Sequence, residues 1–311
     1  MTCQKIKLSS TASMDTYFLH NSEEYNVEKK RPIVLVLPGG GYAFTSDREA
    51  EPIALKFNSI GLHAAILWYT VKDQVKNVPQ NAYEEAMKAI LWLREHAEEY
   101  LLDPNQVIVC GFSAGGHLCV QCATRWHEPE IAKKLGCTSE ELKVNLAVAG
   151  YPAVRFYPAP AGEKGFGAGL CANPNTSNER FFGTDTPSAA EVENMNLLNK
   201  VGPNTPPMFI WHTYEDQLVS VMDSVELAGK MKEFNRPFEL HIFEKGEHGL
   251  ALCDRTTARK WSHINSHIIH WFSLCEEWLS SYIDIPETMF GKYPKGHRVR
   301  SEERFSRNAE T

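Results

Sequence analysis

The chain has 311 residues, 43% of them hydrophobic and 23% charged, with a formal net charge of −7. That composition is typical of soluble globular proteins, and its charge gives no general attraction to nucleic acid or to anionic membranes. A chain of this length buries most of its surface without staples, and α/β folds of this size commonly form one domain.

The opening stretch MTCQKIKLSSTASMDTYFLH contains no apolar run of the ~7–15 residues that an export signal needs. No segment approaches the ~18 uninterrupted apolar residues of a membrane span. A cytoplasmic protein is therefore expected. Its eight cysteines (Cys3, Cys110, Cys119, Cys122, Cys137, Cys171, Cys253 and Cys275) read as reduced thiols. Residues 1–20 read as antiparallel edge strands.

Pro32–Leu37 is a continuous apolar run that stops at Pro38 and three glycines. Such a run predicts a strand buried on both faces, as in parallel sheets. Gly61–Tyr69, Gln106–Cys110, Lys143–Ala149, Pro207–Trp211 and Phe238–Phe243 repeat the pattern. Between them lie helical patterns over residues 81–100 (Ala86, Ile90, Leu93, Ala97), 221–234 and 257–281. Strands alternating with helices predict an α/β fold, a doubly wound and mostly parallel sheet flanked by helices. Residues 1–285 form the predicted domain. Residues 155–205 are rich in Gly, Pro and Asn and read as a cap-like insertion at one end of the sheet. Residues 286–311 read as a polar C-terminal extension.

Gly111-Phe112-Ser113-Ala114-Gly115 follows a predicted strand and enters a helix-compatible stretch. That is the context of a G-x-S-x-G nucleophile elbow, a tight strand-to-helix turn that exposes the serine hydroxyl. The Ala114 N–H would lie at the helix N-terminus, where donors face outward and negative charge is favoured. The run Pro38-Gly39-Gly40-Gly41-Tyr42 offers further backbone amides to an oxyanion. Ser113 would need a base. Of the twelve histidines, His248 stands just beyond the last predicted strand, where open α/β sheets place their chemistry. His212 is the competitor. His63 and His117 read as packing residues. Trp211-His212-Thr213-Tyr214-Glu215-Asp216 supplies two carboxylates to orient the base, Asp216 preferred and Glu215 the alternative. The order Ser113, Asp216, His248 is that of the α/β-hydrolase triad.

Three further patterns attract attention. Cys119-x-x-Cys122 has the spacing of a redox pair but falls inside the helix behind Ser113, so a redox role is not expected. His263, His267 and His270 would share one face of the 257–281 helix, more simply a polar face than a metal site. Trp68, Tyr42, Tyr151 and Phe166 are candidates to line a substrate cleft, against the simpler reading as core aromatics.

The phrases PGGGYAF, VIVCGFSAGGHL, NTPPMFIWHTYEDQLV and ELHIFEKGEHGL, spread over about residues 30–282, make the chain resemble the α/β-hydrolase esterases. Within these it is similar to the acetyl-esterase branch related to acetylxylan and feruloyl esterases. The resemblance implies that Gly40, Gly41 and Ala114 form the oxyanion hole, that Asp216 rather than Glu215 is the acid, and that the 155–205 insertion shapes the pocket. It implies a serine esterase that needs no metal or organic cofactor. The expected substrate is a small ester, with acetyl or another short acyl group on a sugar-like alcohol. Homo-oligomerisation is left open, and no nucleic-acid or membrane partner is expected. Pro38 departs from the pattern, since many relatives carry His before the glycines. The competing functions are a prolyl-oligopeptidase-like peptidase or amidase and a non-catalytic hydrolase-fold binding protein.

Overall fold

The structure, a computed structural model, describes residues 1–24, 26–71, 74–158 and 178–283. The 286–311 extension, Phe166, Cys171 and residues 159–177 of the expected insertion lie outside these. One eight-stranded sheet runs in the order β1-β2-β4-β3-β5-β6-β7-β8. Its strands are β1 Thr2–Lys7, β2 Ser13–Phe18, β3 Arg31–Leu37, β4 His63–Trp68, β5 Leu102–Phe112, β6 Leu146–Gly150, β7 Met208–Thr213 and β8 Phe238–Phe243. β1 and β2 are antiparallel, as expected of residues 1–20, and β3 through β8 pair in parallel.

The helices are α1 Glu51–Ser59, α2 Val78–Glu95, α3 Ala97–Tyr100, α4 Ala114–Arg125, α5 Pro129–Leu135, α6 Asn178–Phe182, α7 Ala189–Asn194, α8 Val221–Glu233 and α9 Trp271–Leu279. Every residue of β3 is buried, which explains its unbroken apolar run. Alternate side chains go to opposite layers, as the two-residue period of a strand requires. Ile33, Leu35 and Leu37 meet a layer containing residues of α2, α4 and α8. Val34 and Val36 meet a layer containing Phe57 of α1 and Trp278 of α9. Within α4 every residue from Ala114 to Thr124 is buried. Among the described residues no helix is long and apolar enough to cross a membrane.

α1, α2 and the last predicted helix depart from expectation, and the short α5, α6 and α7 were not expected. α2 starts at Val78 rather than residue 81, because Asn77 caps it by accepting from Gln80 N–H and Pro79 occupies the first turn. α1 escapes the sequence reading, although Pro52 followed by apolar Ile53, Ala54 and Phe57 marks its start and its buried face. The predicted helix over 257–281 is helical in earnest only from Trp271. Upstream, the Asp254 carboxylate accepts from Thr256 N–H, and Asn265 Oδ1 accepts from the amides of His267 and Ile268. These local bonds compete with a continuous helical ladder. His263, His267 and His270 therefore do not share a face. His263 Nδ1 meets Arg48 Nη2 at 2.9 Å, and His267 packs edge-on to Phe243.

Candidate active site

The sharp turn after β5 puts Ser113 at φ 55° and ψ −118°, a left-handed region that non-glycine residues rarely occupy. Backbone strain of this kind amounts to about 1–3 kcal/mol and persists only where the surroundings enforce it. They do so here. Ser113 N–H donates to the Gly150 carbonyl at 3.1 Å, and the Ser113 carbonyl accepts from His117 N–H at 2.9 Å. The turn also needs its glycines. A Cβ on Gly115 would sit 2.0 Å from the Leu37 carbonyl oxygen, and one on Gly111 would sit 2.0 Å from the Gly115 carbonyl oxygen.

His248 follows β8 and Asp216 follows β7, so both reach the carboxyl end of the sheet where Ser113 stands. His248 Nε2 lies 2.8 Å from Ser113 Oγ, and His248 Nδ1 lies 2.6 Å from Asp216 Oδ2. Asp216 is buried. Its Oδ1 accepts from the amides of Leu218 at 2.8 Å and Val219 at 2.9 Å. Burial alone would raise its pKa, but the His212 and His248 ring hydrogens and the Val219 amide outweigh it and hold the carboxyl well below the usual range. Ser113, His248 and Asp216 thus form one continuous hydrogen-bonded chain, whose chemical capacity is to carry a proton away from a serine hydroxyl. Glu215, the alternative acid, is turned elsewhere: it pairs with Lys245 at 2.9 Å and accepts from Gly246 N–H. His212, the alternative base, reaches Asp216 Oδ2 at 3.1 Å rather than the serine.

The glycine loop after β3 approaches from the other side. Gly40 has φ +128°, and a Cβ there would fall 2.1 Å from the Phe44 carbonyl oxygen. The carbonyls of Gly39 and Gly40 accept loop hydrogen bonds, whereas among the described residues the amides of Gly40, Gly41 and Ala114 have no protein acceptor. Such amides can receive a developing negative charge. Pro38 fits this loop through its backbone, its carbonyl accepting from the Tyr69 hydroxyl at 2.5 Å.

Sequence reasoning missed Glu49, a buried carboxylate on the one-turn 3-10 helix Asp47–Glu49. Its Oε2 accepts from Gly39 N–H at 2.8 Å and its Oε1 from the Tyr151 hydroxyl at 2.7 Å. The same hydroxyl accepts from Ala251 N–H at 3.0 Å, three residues beyond His248. Glu49 and Tyr151 therefore tie the glycine loop to the histidine loop. No local motif announces this, although an acidic residue so close to the glycine run was a signal worth following.

The cleft-lining expectation for Tyr42, Tyr151 and Trp68 needs correction. Tyr42 is fully buried with its hydroxyl 2.9 Å from His117 Nδ1. Tyr151 is buried under the His248 ring, edge to face at 5.1 Å, with its hydroxyl engaged as described. Trp68 turns its Nε1–H to Asp15 on the neighbouring strand β2. The Tyr42 and Tyr151 rings belong to the buried core, and Trp68 is half-buried. His63 and His117 are packing residues, and burial pushes their pKa down to about 4 and about 3 respectively. The seven described cysteines are free thiols, and burial pushes that of Cys119 up to about 12. Among the described residues no group of three or more His, Cys, Asp or Glu is arranged to hold a metal ion.

Comparison with known proteins gives a family match and several relatives. The BD-FAE family model matches residues 17–231. Endo-1,4-beta-xylanase B of Butyrivibrio fibrisolvens is 30% identical over 255 residues, 79% of this chain and 36% of that protein. The chain spans between about a third and a half of the length of the first curated relatives it matches. Among solved structures, the carboxylesterase Cest-2923 from Lactobacillus plantarum superposes with a TM-score of 0.74 at 25% identity, covering 90% of this chain and 97% of that one. The acetyl ester-xyloside bifunctional hydrolase from Caldicellulosiruptor lactoaceticus superposes with a TM-score of 0.70 at 30% identity, covering 89% of this chain and 96% of that one.

Proposed function

This chain belongs to the BD-FAE family, an α/β-hydrolase group, and on that premise we propose that it is a serine carboxylic-ester hydrolase. We further propose that it removes acetyl or other short acyl groups from sugars or similar small alcohols. One observation carries the reading: the unbroken hydrogen-bond path from Ser113 Oγ through both nitrogens of His248 to Asp216 Oδ2, beside three amides that have no protein acceptor among the described residues.

Ser113 Oγ attacks the ester carbonyl carbon as His248 Nε2 takes its proton. Asp216 stays ionised, holds the imidazole in the productive tautomer and stabilises the imidazolium. The carbonyl oxygen becomes negative and is received by the Gly40, Gly41 and Ala114 amides, each supplying about 3–4 kcal/mol. The carbon–oxygen bond to the alcohol then breaks, and the alcohol leaves with the proton from His248. Water gives its proton to His248 and attacks the acyl-enzyme; the bond to Ser113 Oγ then breaks, His248 returns the proton to that oxygen, and the acid leaves. No metal or organic cofactor enters these steps.

Short acyl chains and a sugar alcohol are supported by the description of the Caldicellulosiruptor relative. In this reading the 155–205 insertion shapes the pocket of a single 1–285 domain. Its described part lies close to the site, with Phe181 edge-on to Tyr42 behind the glycine loop. A cytoplasmic location belongs to the same reading and is supported by the free thiols.

The test has two parts. A fluorophosphonate should label the wild type and leave Ser113→Ala unlabelled. Turnover of nitrophenyl esters should be fastest at the acetyl end of a chain-length series, with acetate released from acetylated xylo-oligosaccharides. An unlabelled wild type would favour a non-catalytic binding protein. Faster cleavage of a proline anilide than of the acetyl ester would favour a peptidase.

A further inference from the structure

His212 sits near the end of β7, is fully buried, and takes no part in the proton path from Ser113 to Asp216. Its ring nonetheless has polar contacts on both nitrogens. Nε2 lies 3.1 Å from Asp216 Oδ2 and 3.2 Å from the Val219 carbonyl oxygen, and Nδ1 lies 2.8 Å from Ser224 Oγ. An ionised carboxylate and a carbonyl can only accept, so Nε2 must carry a hydrogen, since a bare nitrogen there would face two oxygens. In the neutral ring, Nδ1 then accepts from the Ser224 hydroxyl. Ser224 lies in the first turns of α8 and is itself fully buried, so it sees no solvent to compete for that bond.

The carboxylate gains a complete set of partners from this. Oδ1 accepts from Leu218 and Val219 N–H. Oδ2 accepts from His248 Nδ1 at 2.6 Å and from His212 Nε2 at 3.1 Å. A carboxylate turns about a broad torsion with shallow preferences, so its plane is set by its donors. Without His212, Oδ2 would keep one donor, and that donor belongs to the ring it is meant to hold.

We propose that His212 is a positioning residue for the reaction at Ser113: its Nε2–H fixes Asp216 Oδ2 in the plane that meets His248 Nδ1, and Ser224 fixes the His212 tautomer. This rests on reading Ser113, His248 and Asp216 as the catalytic triad. The sequence shows His212 only as a rival base four residues from the acid. The structure assigns it to the carboxylate instead.

The experiment compares the wild type with His212→Phe, which keeps a ring and loses the donor, with His212→Gln, which restores an N–H at the ε position, and with Ser224→Ala. Each is assayed for kcat and KM on nitrophenyl acetate. The downfield proton resonance of His248 Nδ1–H is followed by NMR, because it reports the bond to Asp216 without reference to turnover. His212→Phe should lower kcat about 10–100-fold, in line with losses from slight misplacement of reacting groups, with KM changed less than about twofold. Its downfield resonance should shift or broaden. His212→Gln should recover kcat to within about threefold and restore the resonance. Ser224→Ala should show a smaller loss in the same direction, and adding it to His212→Phe should cost nothing further. A His212→Phe protein with unchanged kcat and an unmoved resonance overturns the proposal. So does an equal loss in the Phe and Gln variants that follows their thermal stability, which marks a merely structural residue. If His212→Phe does not fold, Ser224→Ala carries the test alone, and an unmoved resonance there overturns the proposal. Failure of the triad reading is distinguishable, because it leaves the wild type itself unlabelled by fluorophosphonate.

Discussion

The Ser113 turn is held by close backbone packing, whereas Asp216 and His248 are held by hydrogen bonds and a ring contact, some from neighbours in the chain and some from distant residues. On the first side, Gly111 and Gly115 let β5, α4 and β3 approach to distances no Cβ would permit. On the second, a carboxylate and an imidazole take their orientation from His212, Tyr151 and two loop amides. The difference teaches where each side is vulnerable. Backbone sterics fail all at once, since a clash of 2 Å cannot be relieved locally. A hydrogen-bond network can lose one donor and keep the rest, weakened because its bonds reinforce one another.

That contrast can be broken or sharpened by four variants. Ser113→Ala should lower kcat about 10⁴–10⁶-fold while leaving the urea unfolding midpoint unchanged, because the turn depends on the backbone and not on the hydroxyl. A residual rate within about tenfold of wild type would remove Ser113 from the chemistry. Gly115→Ala should destabilise by more than about 4 kcal/mol or yield insoluble protein, because its Cβ would overlap the Leu37 carbonyl. Soluble Gly115→Ala protein with a wild-type urea midpoint would contradict the steric account of the elbow.

Glu49→Gln should be intermediate. The amide replaces one of two accepting oxygens with a donor, so either Gly39 N–H or the Tyr151 hydroxyl loses its acceptor. The expected outcome is a kcat about 10–100-fold lower with little change in KM, read from steady-state kinetics on nitrophenyl acetate. An unchanged kcat would detach Glu49 from the placing of the glycine loop.

The smallest effect concerns pH and lies away from the chemistry. Burial holds the His117 pKa down to about 3. As pH falls below about 6.5 the unfolded chain takes up a proton that the folded one refuses, so stability should drop by up to about 1.4 kcal/mol per pH unit until the folded group titrates. Urea unfolding at pH 7, 6 and 5 should show wild type more stable than His117→Gln at pH 7, with the gap narrowing by about 1–2 kcal/mol by pH 5. Parallel curves for the two proteins would show that His117 titrates alike in both states.

How much of this was legible in the sequence follows from the same contrast. β3 and the second half of β5 announce themselves because both faces are buried and no polar residue interrupts Pro32–Leu37 or Val107–Phe112. The elbow is legible because its parts are consecutive: strand, glycine, serine, glycine and helix. His248 and Asp216 are legible as the groups that follow the last two strands. Glu49 is not, because its partners Gly39 and Tyr151 lie 10 and 102 residues away in the chain. Tyr42 and Tyr151 stay between cleft and core in the sequence for a related reason: proximity to the glycine loop or to β6 does not say whether a ring points out of the sheet or into it. The helix expected over 257–281 failed because periodicity does not register the competing side-chain bonds of Asp254 and Asn265.

The burial of α4 from Ala114 through Thr124 has a consequence for how the protein ages under heat. The helix that follows Ser113 has no loose side from which to fray. Amide hydrogens in its interior can exchange with solvent only when the molecule opens as a whole. Deuterium uptake along this helix should therefore track global unfolding, so that any loss of activity preceding melting begins in the loops of His248 and Asp216 and not in α4.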